Sequence, residues 1–166
     1  MKKITLLIIV LSFALSANSQ TIVETAVSNK NFSTLVTALK AADLVGALSG
    51  DGPFTVFAPN NDAFAKIDSK TLSSLLEPAN VKALSNILTY HVVSGKLLAA
   101  DVANALKAGE GKAKLKSLNG QELTAILKYE KIYLIDAKGG MSEIIATDVI
   151  GTNGVIHVVD TVVMPE

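Results

Sequence analysis

The sequence predicts an α+β fold in a single domain, on three observations. The chain has 166 residues, about the length of one domain. Apolar residues recur at helical spacing through most of its first two-thirds. From Lys112 onward they alternate with polar residues at a period of two, which is typical of half-exposed strands. Helices that precede strands, rather than alternating with them, favour a largely antiparallel or mixed sheet.

The helical part follows residue 20. Its expected elements are helices within 21–48 and over 63–67, 69–76, 81–89 and 101–107, with one early strand over 54–58. Polar side chains near the expected helix starts can accept hydrogen bonds from the free backbone amides there. They are Asn31 or Ser33 for the second helix, Asp43 for a short third helix, and Asp62 and Asn80 for the next two capped helices. Gly109 is expected to end the last helix.

The strand part begins early with Tyr-His-Val-Val at 90–93, which we expect to leave a helix as a strand. Further strands are expected over 112–117, 122–128, 131–135, 144–150 and 155–163. Asn119-Gly120 is a tight hairpin signal. Lysine occupies positions 112, 114 and 116. This row indicates the solvated face of an edge strand, where lysines discourage pairing between sheets.

The composition excludes several classes of function. Fifteen lysines balance fifteen acidic residues, and no arginine is present, so no basic field exists to gather nucleic acid. The chain contains no cysteine. Thiol nucleophiles, disulfides, cysteine-based metal sites and cysteine-linked lipid anchors are therefore excluded.

The first nineteen residues predict a secretory signal peptide. A positive start at Met1-Lys2-Lys3 is followed by an apolar run over 4–17, and Ala17-Asn18-Ser19 supplies small residues for cleavage. The run is too short for a transmembrane helix, which needs about 20 residues. We expect cleavage after Ser19, with Ala17 as the alternative. Residues 20–166 would then form one near-neutral domain, secreted or periplasmic, without a transmembrane anchor.

Candidates for catalysis are few. His91 and His157 are the only imidazoles, and neither stands in a spacing that predicts a catalytic triad or a metal site. An extended chain puts residues three apart on opposite faces, which separates His91 from Ser94 and His157 from Asp160. The sequence therefore predicts no catalytic residue, no metal site and no cofactor. We expect both histidines to be structural, with partner contact as the alternative for His91.

Three segments together resemble the FAS1 (fasciclin-like) domain. They are Gly-Pro-Phe-Thr-Val-Phe-Ala-Pro-Asn-Asn-Asp-Ala-Phe at 52–64, Ile-Leu-Thr-Tyr-His-Val-Val at 87–93, and Thr-Asn-Gly-Val-Ile-His-Val-Val-Asp at 152–160. Their order and separation also fit, and the resemblance covers about residues 20–165. The matching positions that we interpret as structural are Phe54, Thr55, Phe57, Pro59, Asp62, Phe64, Asn153, Gly154 and His157.

The resemblance implies a wedge of two β-sheets with helices packed around it, and a secreted adhesion function without catalysis. The Tyr-His motif linked to adhesion in animal members matches Tyr90 and His91. A second adhesion motif falls on Asp148, Val149 and Ile150, although its preceding Glu-Pro is absent here. These five residues are the candidate partner-binding residues.

Three functions stay open at this stage. The first is an exported, non-enzymatic adhesion or matrix module that binds a surface, matrix or envelope component, either protein or polysaccharide. The second is a periplasmic or extracellular carrier of lipid or another small hydrophobic ligand. The third is a hydrolase that uses His91 or His157.

Overall fold

The structure of the protein is a computed structural model that describes residues 20–166. The predicted signal peptide over residues 1–19 lies outside the described residues. The helices are α1 (Ile22–Ser28), α2 (Ser33–Ala41), α3 (Val45–Ser49), α4 (Asn61–Ala65), α5 (Ser69–Leu75), α6 (Val81–Tyr90) and α7 (Ala99–Ala108). The strands are β1 (Phe54–Pro59), β2 (Val92–Ser94), β3 (Lys112–Lys116), β4 (Glu122–Lys128), β5 (Lys131–Ile135), β6 (Met141–Gly151) and β7 (Gly154–Val159).

The strands form one seven-stranded sheet in the order β2-β1-β7-β6-β5-β4-β3. β1 and β7 pair in parallel, and every other neighbouring pair is antiparallel. The long strand β6 joins the two halves of the sheet, because it pairs with β7 in one half and with β5 in the other. This mixed sheet with helices confirms the predicted α+β class.

The two edge strands of the sheet meet at one point. β2 and β3 stand at opposite ends of the strand order, yet Val93 and Ser117 form an isolated antiparallel bridge. The Leu118 amide donates to the Val92 carbonyl at 2.7 Å. The sheet therefore folds back on itself, and its halves enclose a wedge.

Two apolar cores lie on opposite faces of the central strands. On β1, Ala58 packs in the core formed with the helices α1 to α6, whereas Phe57 packs in the core inside the wedge with α7. Side chains alternate along a strand, so one strand supplies both cores. Five of the six residues of β7 are buried, because this central strand is covered on both faces.

Several helix starts differ from the predicted caps. Asn60 caps α4 by accepting from the Ala63 amide at 2.8 Å, so the prediction that Asp62 caps this helix was wrong. Asp62 lies within the first turn and is exposed. Asn80 stands at the start of α6, but its side chain donates to the Ser74 carbonyl instead of accepting a helix amide.

The second and third helices also depart from expectation. Neither Asn31 nor Ser33 caps α2; the Asn61 side chain, 27 residues away from Thr34, accepts from the Thr34 amide at 3.1 Å. Asp43 does not start α3 but turns the chain before it, with a φ of 56°. The side-chain cap of α2 therefore comes from the tertiary structure and not from the helix's own flanking sequence.

Candidate interaction surfaces and the residues that frame them

Asn153 ties three elements together at the base of the helical layer. Its Oδ1 accepts from the Ile22 amide at 3.0 Å. Its Nδ2 donates to the carbonyls of Leu48 and Gly50, each at 2.9 Å. Its own carbonyl accepts from the Phe54 amide at 3.0 Å. One side chain therefore fixes the start of α1 and the end of α3 against the sheet.

We expect Asn153→Ala to lower the free energy of unfolding by about 2 kcal/mol, because three backbone groups lose their side-chain partner. Urea unfolding followed by circular dichroism measures this change. Asn104→Ala is the matched control, since Asn104 is exposed on α7 and should change stability by less than about 0.5 kcal/mol. Equal stability of the two variants would contradict the role of Asn153.

Tyr90 and His91 lie in the protein core. Tyr90 is 0% and His91 2% exposed. The Tyr90 hydroxyl donates to the Glu122 carbonyl at 3.0 Å and so connects α6 to the start of β4. Neither side chain reaches the surface of the folded protein, and this burial favours the structural interpretation of both residues over partner contact. The expected strand over 90–93 is also shorter, since α6 includes Tyr90 and His91 ends it.

The hydrogen bonds of His91 define its protonation. The Val163 amide donates to Nε2 at 3.1 Å, so Nε2 carries no proton. Nδ1 lies 2.8 Å from the Ile87 carbonyl and donates its proton there. Burial lowers the pKa of His91 to about 4, against a smaller opposing effect of the hydrogen bond to Ile87. The imidazole is neutral and structural at neutral pH.

His157 and Thr55 hold the loop between β2 and α7. His157 is 1% exposed, and its Nε2 lies 2.8 Å from the Leu97 carbonyl. The Thr55 hydroxyl donates to the Gly95 carbonyl at 2.7 Å and accepts from the Leu97 amide at 2.8 Å. These contacts from two central strands fix where α7 begins.

Asp148 lies next to that helix start, in an irregular part of β6. The pairing of β6 with β7 shifts in register between Ala146 and Val149, and Asp148 has a φ of 59°. Its carboxylate accepts from the Ala99 amide, the first of α7, at 2.8 Å. An acidic group is favourable at a helix N-terminus, so Asp148 anchors α7 to the sheet.

The surface of β6 around Asp148 exposes apolar side chains. Ile145 is 48% and Ile150 59% exposed, whereas Val149 is half-buried against the helical core. Of the five candidate partner-binding residues, Asp148 and Ile150 are therefore on the surface, and Val149 is partly accessible. We call the exposed segment over 145–150 the β6 ridge. The sequence did not single out Ile145, because it lies between the apolar residues Ile144 and Ala146 and no alternation marks it as exposed.

The apolar interior offers little room for a ligand. A small apolar cavity between α1, α2, α3 and the sheet has a volume of about 20 Å³. This is space for about one water-sized molecule, far below the several hundred Å³ of small-molecule sites. That cavity gives no support to the carrier function. Among residues 20–166, no group of three or more His, Asp or Glu side chains is arranged to hold a metal ion.

The surface depressions are larger but open to solvent. The one between the edge strands β2 and β3 has a volume of about 540 Å³. In the part of the chain that the structure describes, no helix has the length and apolar character needed to cross a bilayer.

Comparisons with known proteins agree with one another. A family model described as the Fasciclin domain matches residues 30–165. Protein sll1483 of Synechocystis sp. is 50% identical over 156 residues, which cover 94% of this chain and 79% of that protein. The protein sll1735 of the same organism is 41% identical over 147 residues, which cover 86% of this chain and 96% of that protein.

A solved structure shares the fold. It is a FAS1 domain pair from the insect cell adhesion molecule Fasciclin I, and the superposition has a TM-score of 0.75 at 18% sequence identity. The match covers 86% of this chain and 50% of that chain.

Proposed function

The chain belongs to the Fasciclin domain family, and on that premise we propose that it is an exported adhesion or matrix-interaction module without catalytic activity. Its partner is a surface, matrix or envelope component, either protein or polysaccharide. The predicted signal peptide over 1–19 supports export to the periplasm or the outside of the cell. The structurally similar insect protein is described as a cell adhesion molecule.

The observation that carries this proposal is the β6 ridge. Ile145 and Ile150 expose apolar surface on a strand whose position is fixed by Asp148 and the start of α7. We infer that these two side chains contribute to one apolar patch, the kind of exposed surface that marks interaction sites. A rigid strand presents that surface at little entropic cost on binding. We therefore assign partner contact to the ridge, with Asp148, Val149 and Ile150 at its end.

The two histidines support a role without catalysis. Both imidazoles are buried, and both use their nitrogens in hydrogen bonds with the backbone. A general base must reach a substrate proton, which neither side chain does in this arrangement. Removing either histidine is therefore expected to change stability and not an activity.

The ridge is tested with the double variant Ile145→Ser/Ile150→Ser. We expect its capture of envelope or matrix material from the host to fall at least about fivefold, because two apolar contacts at the centre of an interface are lost. Its free energy of unfolding should stay within about 1 kcal/mol of the parent, since both side chains are exposed. Pull-down with purified protein on host envelope and matrix fractions measures the capture.

The matched control is Val27→Ser/Leu127→Ser. These side chains are 56% and 54% exposed, so the variant removes similar apolar surface elsewhere. It should bind as the parent does. Equal capture by both double variants would refute the assignment of partner contact to the β6 ridge. Recovery of the protein from the cytosolic fraction alone would refute export.

A further inference from the structure

The gap between the edge strands β2 and β3 is a second surface, separate from the β6 ridge. The two strands touch at the bridge between Val93 and Ser117 and diverge from there. The open depression beside them, of about 540 Å³, includes Ser94 and Leu97 on one side and Lys114 to Leu118 on the other. This inference goes beyond the proposed function and does not depend on it.

The backbone of β3 leaves hydrogen-bonding groups directed at this gap. The Ser117 amide donates to Gln121 and the Leu127 amide donates to Gly111, so residues 111, 113, 115 and 117 are the ones that hydrogen-bond to β4. In an antiparallel pair the residues between them point their N–H and C=O groups to the other side. Those residues are Lys112, Lys114 and Lys116. The Lys112 amide donates to the Gly109 carbonyl at 3.1 Å. In the part of the chain that the structure describes, Lys114 pairs with no strand on that side.

The side chains that border the gap have two distinct characters. Val93 and Leu115 belong to the core inside the wedge and Leu97 packs against it, and all three line the depression although Val93 and Leu115 are only 5% and 7% exposed. Lys112, Lys114 and Lys116 are exposed on the opposite face of β3. A strand added to β3 would therefore place every second side chain against the core and the others beside the lysines.

The charge of the β3 edge determines which kind of strand can pair with it. Lys114 pairs with Glu122 at 2.8 Å, and in the described part of the chain Lys112 and Lys116 form no ion pair. A second copy of β3 would bring lysines opposite lysines, which is destabilising, whereas acidic side chains would be attracted. The edge thus disfavours pairing with itself and favours an acidic strand.

We propose that the free edge of β3 binds an extended segment of a partner protein, which adds to the sheet as a further strand and alternates acidic with apolar side chains. Backbone hydrogen bonds to Lys114 and Lys116 supply affinity. The apolar side chains extend the core formed by Val93, Leu97 and Leu115, and the acidic ones contact Lys112 and Lys116.

The probe is a fluorescein-labelled peptide of ten residues that alternates glutamate and valine. We expect fluorescence anisotropy to show saturable binding. Amide hydrogen exchange measured by NMR should slow at least about tenfold at Lys114 and Lys116 in the complex, because new backbone hydrogen bonds protect these amides. Binding by charge alone would leave their exchange unchanged and would overturn the proposal.

Two altered peptides separate strand addition from other modes of binding. A peptide of the same composition with glutamates and valines in two blocks should bind more weakly, since it cannot satisfy both faces. A peptide N-methylated at alternate residues should lose binding, because its backbone cannot pair. Equal affinity of these peptides and the alternating one, or no binding below about 1 mM, would refute the proposal.

A charge variant tests the lysines. Lys112→Glu/Lys116→Glu should bind the alternating peptide at least about fivefold more weakly. Lys40→Glu/Lys82→Glu makes the same change in net charge at exposed positions of α2 and α6, and should bind it as the parent does. Circular dichroism checks that both variants are folded. Equal losses in the two variants would show attraction to net charge and would count against the β3 edge.

Discussion

Gly154→Ala is expected to unfold the protein or to lower its free energy of unfolding by at least about 3 kcal/mol. Gly154 begins β7 and pairs with Phe54 of β1 in parallel and with Gly151 of β6. A Cβ atom at this position would overlap the carbonyl oxygen of Phe54 and would lie within 3.0 Å of the Phe54 backbone carbon and nitrogen. Backbone atoms in a paired strand cannot move aside independently, so the three central strands must separate or shift.

The comparison variant is Gly46→Ala. Gly46 lies in α3, and a Cβ there would meet no atom within 4 Å. Replacing an exposed helical glycine by alanine stabilises by up to about 1 kcal/mol. Urea unfolding of both variants measures the contrast. A Gly154→Ala protein as stable as Gly46→Ala would show that β1 and β7 are not packed as closely as the structure has them.

The second large effect is a loss of stability in mild acid, caused by His91. The unfolded chain takes up a proton on this histidine near pH 6.5, whereas burial in the folded protein lowers the pKa of His91 to about 4. A buried neutral histidine has a lower pKa in the folded protein than in the unfolded chain. It contributes its full stabilisation of the folded state at pH values above its pKa in the unfolded chain. This stability is lost as the pH falls from about 6.5 to about 4, because only the unfolded state then binds the proton.

The difference between the two pKa values corresponds to at most about 3 kcal/mol. Urea unfolding at about pH 7.5 and about pH 4.5 should show most of this loss in the parent protein. His91→Asn should be less stable at neutral pH, since the contacts with Ile87 and Val163 are perturbed. Its stability should nevertheless change less between the two pH values.

Subtraction of the two pH profiles isolates His91. Burial by itself would raise the pKa of Asp160, but hydrogen bonds from Lys66 and the Glu143 amide lower it overall. Asp160 contributes equally to both proteins. Parallel profiles for the parent and His91→Asn would mean that the imidazole is not buried in its neutral form.

The parts of the fold that the sequence predicts are those that depend on local pattern. The alternation of Lys112, Lys114 and Lys116 predicts an edge strand, and β3 is one. Gly109 ends α7 as expected. Both patterns span only a few neighbouring residues, which is why the sequence alone indicates them.

The features that the sequence misses depend on distant residues. Asn61 caps α2 from another element, and no pattern near residue 33 indicates it. Tyr90 and His91 follow an apolar helix and precede valines, so the pattern alone leaves open whether they face the core or a partner. In the structure, Val163 and the Glu122 carbonyl lie next to them. For the candidate site, the sequence predicts Asp148 to Ile150 but gives no indication of their setting beside α7.

The parallel pairing of β1 with β7 has a consequence for how the chain acquires its structure. Phe54 pairs with Gly154 and Pro59 with Val159, so the two strands at the centre of the sheet are about 100 residues apart along the chain. Contacts between such distant segments form late and slow folding, because a long loop must close first. A chain without residues 154–159 has no β7 to join β1 to β6. The central pairing of the sheet is therefore expected to be a late step of folding.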